Sequence, residues 1–212
     1  MQLIKIEMIH DVVCSWCLIG THNLQQALAA YADMVLAEWH YLPFELNPEL
    51  SEKVGIHEHL QERNGWTPEQ ALAYRRSLLQ TIDALGVRID FSKRTHYYNT
   101  HDAHRLILAS QQSGMQQPMH QALLRAYHEQ GVDISDRSQL RRVAASIGVE
   151  DALFQHAMAS DEITRYMEAL QQRVSAMEIR SVPAFIFNDH LFVSGSQSRE
   201  FFEQLIRREL IH

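Results

Sequence analysis

At 212 residues, with 46% hydrophobic and 21% charged side chains, the chain can bury a sizeable core and needs no disulfide framework to hold it. A net charge of −7 argues against nucleic acid or an anionic membrane as a main partner, since both reward clustered Lys and Arg. No apolar run approaches the roughly 18 residues needed to span a bilayer. The opening MQLIKIEMIHDVVC lacks a basic segment, a long apolar stretch and a small-residue cleavage site, so a cytoplasmic location is expected.

The first segment, LIKIEMIH, alternates Ile4, Ile6 and Met8 against Lys5 and Glu7, which predicts a strand. It leads into HDVVCSWCLIG, which holds Cys14 and Cys17, the two cysteines of the chain. Leu24, Ala27, Leu28 and Tyr31 then fall at helical spacing and predict a helix from about Ser15 to Tyr31. MVLAEWHYLPFEL, rich in β-branched and aromatic residues, predicts a second strand ending near Pro43. The order is strand, cysteine turn, helix, strand: a βαβ unit with its cysteines at a helix N-terminus.

That position has a chemical logic. Unpaired backbone N–H groups and the positive end of the helix dipole favour an anion, so a thiolate at Cys14 is favoured. Cys17, one turn further in, can attack a mixed disulfide formed on Cys14. Two other uses of CxxC remain open: half of a zinc site, or a pair of inert buried thiols. Zinc would need two more ligands, and no second CxxC exists to provide them; His10 and His22 are near only in sequence.

From about Ser51 to His156 the pattern is helical. Thr67-Pro68-Glu69-Gln70 reads as a capping box, Leu78, Ile82 and Leu85 continue that helix, and Gly86 can close it. HDAHRLILASQQSG and PMHQALLRAYHEQG each predict a helix ending towards a glycine. Asp136 can cap a further helix bearing Leu140, Val143, Ala144 and Ile147, with Gly148 at its end. No strand is expected in this block beyond a short candidate at Val87 to Phe91. After it, Ser160 can cap a long helix carrying Ile163, Met167, Leu170 and Val174. VPAFIFNDHLFVSG predicts two strands joined by a tight Asn188-Asp189 turn, and SQSREFFEQLIRREL a final amphipathic helix. There is no internal repeat and no low-complexity linker.

DVVCSWCLIG, LPFELNPEL, NTHDAHRLI, DISD and VPAFIFNDHLFVSGSQ, in that order, resemble the DsbA-like thioredoxin-fold oxidoreductases of the FrnE type. The resemblance covers nearly the whole chain. It implies an α/β, thioredoxin-like fold (residues 1–50 and 157–212) interrupted by an inserted all-helical domain (residues 51–156). It also implies protein disulfide oxidoreductase or isomerase activity, with Cys14 as nucleophile and Cys17 as resolving thiol. Val182 and Pro183 are placed opposite them, and Asn99 and His104-Arg105 on the insertion facing the thiol cleft. Expected partners are protein thiols and disulfides, with glutathione admissible as a co-substrate and no bound cofactor or metal required; an apolar surface on the insertion would allow a homodimer. The wider superfamily holds kappa-class glutathione transferases and 2-hydroxychromene-2-carboxylate isomerases, which generally carry serine where Cys14 stands. That gives a rival reading as a glutathione-dependent isomerase or transferase. Ser181 stands where a glycine is common in relatives, which bears on substrate fit.

The remaining candidates have ordinary alternatives. Trp16 can offer an apolar surface beside the reactive sulfur or simply pack. The Val182–Pro183 bond is expected to be cis and beside Cys14, leaving the Val182 backbone free to pair with an extended substrate. His101 and His104, three apart, could share a helical face as metal ligands do, but lack further ligands; His57 and His59, two apart, would diverge on a helix. Asn99 and His104 could equally be capping and surface residues. SGSQ, residues 194 to 197, could receive a carboxylate or supply an N-cap through Ser196.

Overall fold

The computed structural model describes residues 1–211. His212, the end of the expected thioredoxin-like segment, lies outside them. The core of the fold is a four-stranded sheet in the order β2-β1-β5-β6, built from β1 (Gln2–His10), β2 (Val35–Pro43), β5 (Ala184–Phe187) and β6 (Leu191–Ser194). β1 runs parallel to β2, with Ile6 opposite Trp39, and antiparallel to β5, with Ile6 opposite Phe187. The period-two pattern of β1 sets its two faces. Ile4, Ile6 and Met8 are fully buried in the main core with Phe185, Phe187, Leu24 of α1 (Ser15–Ala29) and Phe202 of α9 (Arg199–Leu205). On the other face Ile9, Leu42, Ala184 and Ile186 receive Val174 of α8 (Asp161–Ala176). This mixed α/β arrangement is a thioredoxin-like fold.

Local signals determine most boundaries. Asn188 and Asp189 both take positive φ (48° and 66°) in the turn closed by the His190 N–H on the Phe187 carbonyl at 3.2 Å, and their side chains bond Lys5 of β1. Thr67 and Gln70 cap α3 (Pro68–Leu85) reciprocally, Asp136 caps α6 (Arg137–Ser146), and Ser160 caps α8. The last helix is capped by Ser198 rather than Ser196, and its end widens into a π-helical turn at Ile206–Leu210.

The inserted block departs from expectation in several places. It contains a two-stranded ladder, β3 (Val54–Gly55) with β4 (His96–Tyr97), too short to leave an alternating pattern. Val87 to Phe91 forms no strand; Val87, Ile89 and Phe91 instead pack on Ile19, Leu78 and Ile82. Two unforeseen helices appear, α2 (Ile56–Asn64) and α7 (Asp151–Ala159), neither with a side-chain N-cap, and α2 without one buried residue. Helix α4 (His101–Ala109) stops before the glycine expected to end it, and α5 (Gln116–His128) follows. Arg105 does not face a cleft. It is buried and binds the Ala157 and Ser160 carbonyls at 2.8 and 2.9 Å, tying α4 to the α7–α8 junction. The block is not walled off from the sheet: Leu106, Met119, Leu123 and Tyr127 share one buried cluster with Ile4, Ile6 and Met8.

Candidate active site

Cys14 is the N-cap residue of α1, with extended backbone (φ −79°, ψ 112°). Its Sγ accepts a hydrogen bond from the Cys17 N–H at 3.2 Å, one of the donors a helix start leaves unpaired. The bond exists because the apolar strand ends at His10, the Cys14 N–H turns back onto the Asp11 carbonyl at 3.2 Å, and the helix begins at Ser15. Sequence and structure therefore place the outer sulfur at the positive end of α1. Cys17 is fully buried and Cys14 is 7% exposed, so the outer thiol is also largely covered. Burial pushes the Cys17 thiol well up and the neighbouring Cys14 sulfur pushes it further, against a smaller downward pull from a hydrogen bond with the Asp11 backbone. Cys17 thus stays protonated beside its partner.

The turn before the cysteines is held from the helical block by three consecutive residues. Asp11, wholly buried, faces the His104 ring of α4 (Nε2 to Oδ1, 3.3 Å) and accepts the Leu46 N–H at 2.7 Å. His128 of α5 donates from Nε2 to the Val12 carbonyl at 3.0 Å. Arg94 donates from Nη2 to the Val13 carbonyl at 3.1 Å. Beneath them lie His10 and His120, with ring centroids 4.5 Å apart and no hydrogen-bond partner for either ring among the described residues. Burial holds His10, His120 and His128 in the neutral form, His120 down to about 3.

Of the residues singled out from sequence, Val182 and Pro183 do meet the cysteines' end of the molecule. The Val182 carbonyl lies 3.7 Å from Cys14 Sγ, and the Val182–Pro183 peptide bond is cis. Gly20 of α1 lets this loop approach: a Cβ there would meet the Pro183 ring at 3.0 Å and Phe185 at 3.3 Å. The SGSQ segment borders the same loop, with the Gly195 N–H on the Pro183 carbonyl at 2.8 Å and the Gln197 carbonyl taken by Asn23. Trp16 is half-buried and donates from Nε1 to the Tyr74 hydroxyl at 3.1 Å, so α1 is tied to α3 beside the sulfurs.

Two residues lie elsewhere than the resemblance implies. His104 is 1% exposed and packed under the cysteine turn against Asp11, where no substrate in the cleft can touch it. Asn99 bonds the Pro48 carbonyl and the His101 N–H at the start of α4, and neither contact involves the cysteine turn. His101 turns outward to Glu45 at 3.2 Å, so the pair at 101 and 104 shares no ligand-binding face. Among the described residues no three His, Cys, Asp or Glu side chains come together to hold a metal ion. Asp11, Arg94 and His128 were not legible as site residues, because each acts through contacts far along the chain. One signal was present: Asp11 is an acid set between a buried strand and the cysteines.

Comparison with known proteins agrees with this geometry. The model of the DSBA-like thioredoxin domain matches residues 5–207. Among solved structures, a probable DsbA oxidoreductase from Streptomyces coelicolor superposes with a TM-score of 0.84 at 24% identity, covering 96% of this chain and 89% of that one. The cytosolic disulfide reductase DsbM from Pseudomonas aeruginosa, solved with glutathione, gives 0.68 at 15% identity, with coverages of 96% and 99%. A 2-hydroxychromene-2-carboxylate isomerase gives 0.68 at 12%, with coverages of 96% and 95%. At these identities the solved structures speak for the fold. None of the curated proteins matches the chain. No helix among the described residues is long and apolar enough to cross a membrane.

Proposed function

We propose that this chain, which belongs to the DSBA-like thioredoxin domain family, is a thiol–disulfide oxidoreductase with Cys14 as attacking thiol and Cys17 as resolving thiol. The observation that carries the reading is the asymmetry of the pair. Cys14 caps the helix and receives an N–H at its sulfur, while burial keeps Cys17 protonated until it is needed. In the forward direction the Cys14 thiolate attacks one sulfur of a disulfide, forming a mixed disulfide and releasing a thiolate. Cys17 then loses its proton and attacks Cys14 Sγ, closing the Cys14–Cys17 disulfide and expelling the second substrate thiol. Two electrons pass to the substrate, and an external thiol returns them to the pair. The Val182 carbonyl accepts the Cys14 S–H at 3.7 Å, and once that thiol has reacted the Val182 backbone is available to an extended substrate. Trp16 braces the wall beside it. Protein disulfides are the substrates and glutathione a co-substrate in this reading, in a cytoplasmic setting and with no bound cofactor.

The fold shared with 2-hydroxychromene-2-carboxylate isomerase favours one rival, a glutathione-dependent isomerase or transferase for which a single thiol would suffice. Selective alkylation with parallel insulin reduction separates the two. The wild-type protein should accelerate insulin reduction by glutathione, and iodoacetamide should modify Cys14 at least about tenfold faster than Cys17. Equal rates at both cysteines, with no acceleration, would reject the assignment.

A further inference from the structure

A cavity of about 250 Å³ lies beside the cysteine turn, between α1, α2 and α3. Ser15, the neighbour of Cys14, forms part of its wall, and Tyr74, Leu78, Phe91, Tyr97 and Arg94 are among the other residues that line it. The size is below the about 300–1,000 Å³ of drug-sized sites, so it admits one ring or one short side chain.

Arg94 is the unusual member. It is 4% exposed, its Nη2 is spent on the Val13 carbonyl, and its Nε has no hydrogen-bond partner. Its guanidinium lies against three aromatic faces, 6.0 Å from Phe91, 5.8 Å from Tyr97 and 5.1 Å from Tyr127. Among the described residues no carboxylate pairs with it. Burial disfavours the charge, and the neighbouring Tyr127 and Tyr97 side chains outweigh that and keep Arg94 charged; they are neutral dipoles, so an anion entering the cavity would be its first full counter-charge. Exposed Arg75 stacks over Phe91 at 5.2 Å, so the lining carries two arginines against one acid, Glu58.

We propose that this cavity is a substrate subsite for a small carboxylate-bearing thiol or disulfide, its carboxylate pairing with Arg94 and its flat apolar part resting on the surrounding rings. The proposal rests on the thiol-exchange reading above and names the substrate class. A ligand anchored there has its sulfur on the Ser15 side, next to Cys14. The chemistry is the exchange already described. Cys14 attacks the ligand disulfide and one thiolate leaves; Cys17 attacks Cys14 and the second thiolate leaves, so the pair loses two electrons and the ligand gains them.

The test compares two aromatic disulfides, anionic 5,5′-dithiobis(2-nitrobenzoate) and neutral 4,4′-dithiodipyridine, in stopped-flow reactions with the reduced protein. In the wild type 2-nitrobenzoate should also protect Cys14 from dithiodipyridine. Arg94→Met should lower the rate ratio of anionic to neutral probe at least about tenfold, the size of a lost charged hydrogen bond, and Arg94→Lys should restore part of it. An unchanged ratio in a folded Arg94→Met variant overturns the subsite and leaves the thiol chemistry standing. Should that variant fail to fold, protection by 2-nitrobenzoate on the unaltered protein decides, and absence of protection overturns the proposal. A wild-type protein that reacts with neither disulfide overturns the thiol reading, and this subsite with it.

Discussion

Replacing Cys14 by Ser should abolish disulfide exchange, and replacing Cys17 by Ser should halt it half-way. A serine hydroxyl at the N-cap still accepts the residue 17 N–H, so the helix start survives the change. What is lost is the ionisable sulfur, and removal of a nucleophile lowers turnover at least about a thousandfold, to the solution background. The Cys17→Ser protein keeps the attacking sulfur and forms the mixed disulfide, but nothing inside the protein can displace the substrate. Mass spectrometry after acid quenching should show the substrate covalently on Cys14 in Cys17→Ser and absent from Cys14→Ser. Full glutathione-dependent turnover by Cys17→Ser would instead support the one-thiol rival.

Acid should unfold the protein well before its carboxylates are all protonated. His10, His120 and His128 are held neutral chiefly by burial; the charges of His120 and His104 add for His10, His104 for His120 and Arg94 for His128. In the unfolded chain each takes up a proton near pH 6.5, whereas in the fold His120 waits until about 3 and the others lie well below their ordinary value. Below pH 6.5 the unfolded state therefore binds more protons than the folded state, so stability falls as pH falls. Three such groups give a limiting slope of about 4 kcal/mol per pH unit, set against a total of about 5–15 kcal/mol for a typical domain. Urea unfolding at pH 7, 6 and 5 should show a midpoint that drops steeply below pH 6, and His120→Leu should reduce the slope by about a third. A midpoint independent of pH over that range would mean that the histidines titrate normally in the fold.

These histidines also show where sequence reading stops. The cysteine turn was legible because every signal is local: an alternating strand, two sulfurs, then helical spacing from Leu24 onward. The caps at Thr67, Asp136 and Ser160 were legible for the same reason. The residues that grip the turn were not, since His104, Arg94 and His128 reach it across 93, 81 and 116 positions of sequence. His104 reads as a polar residue on a helix face, and only the packing of α4 beneath the turn reveals it as the buried partner of Asp11. Asn99, with a side chain suited equally to a cleft or a cap, turns out to organise the start of α4. Helix α2, with no side-chain N-cap and no buried face, was marked in the sequence only by the glycine at its end, Gly65, which takes the left-handed conformation.

In the proposed exchange Cys14 and Cys17 pass two electrons as one unit. Equilibrating the wild-type protein across a series of reduced-to-oxidised glutathione ratios, then quenching and weighing it intact, tests this most directly. One two-electron transition is expected between the dithiol and an internal Cys14–Cys17 disulfide, with glutathione attached to Cys14 only as a minor species. A stable glutathione adduct on Cys14, with no internal disulfide at any ratio, would contradict it.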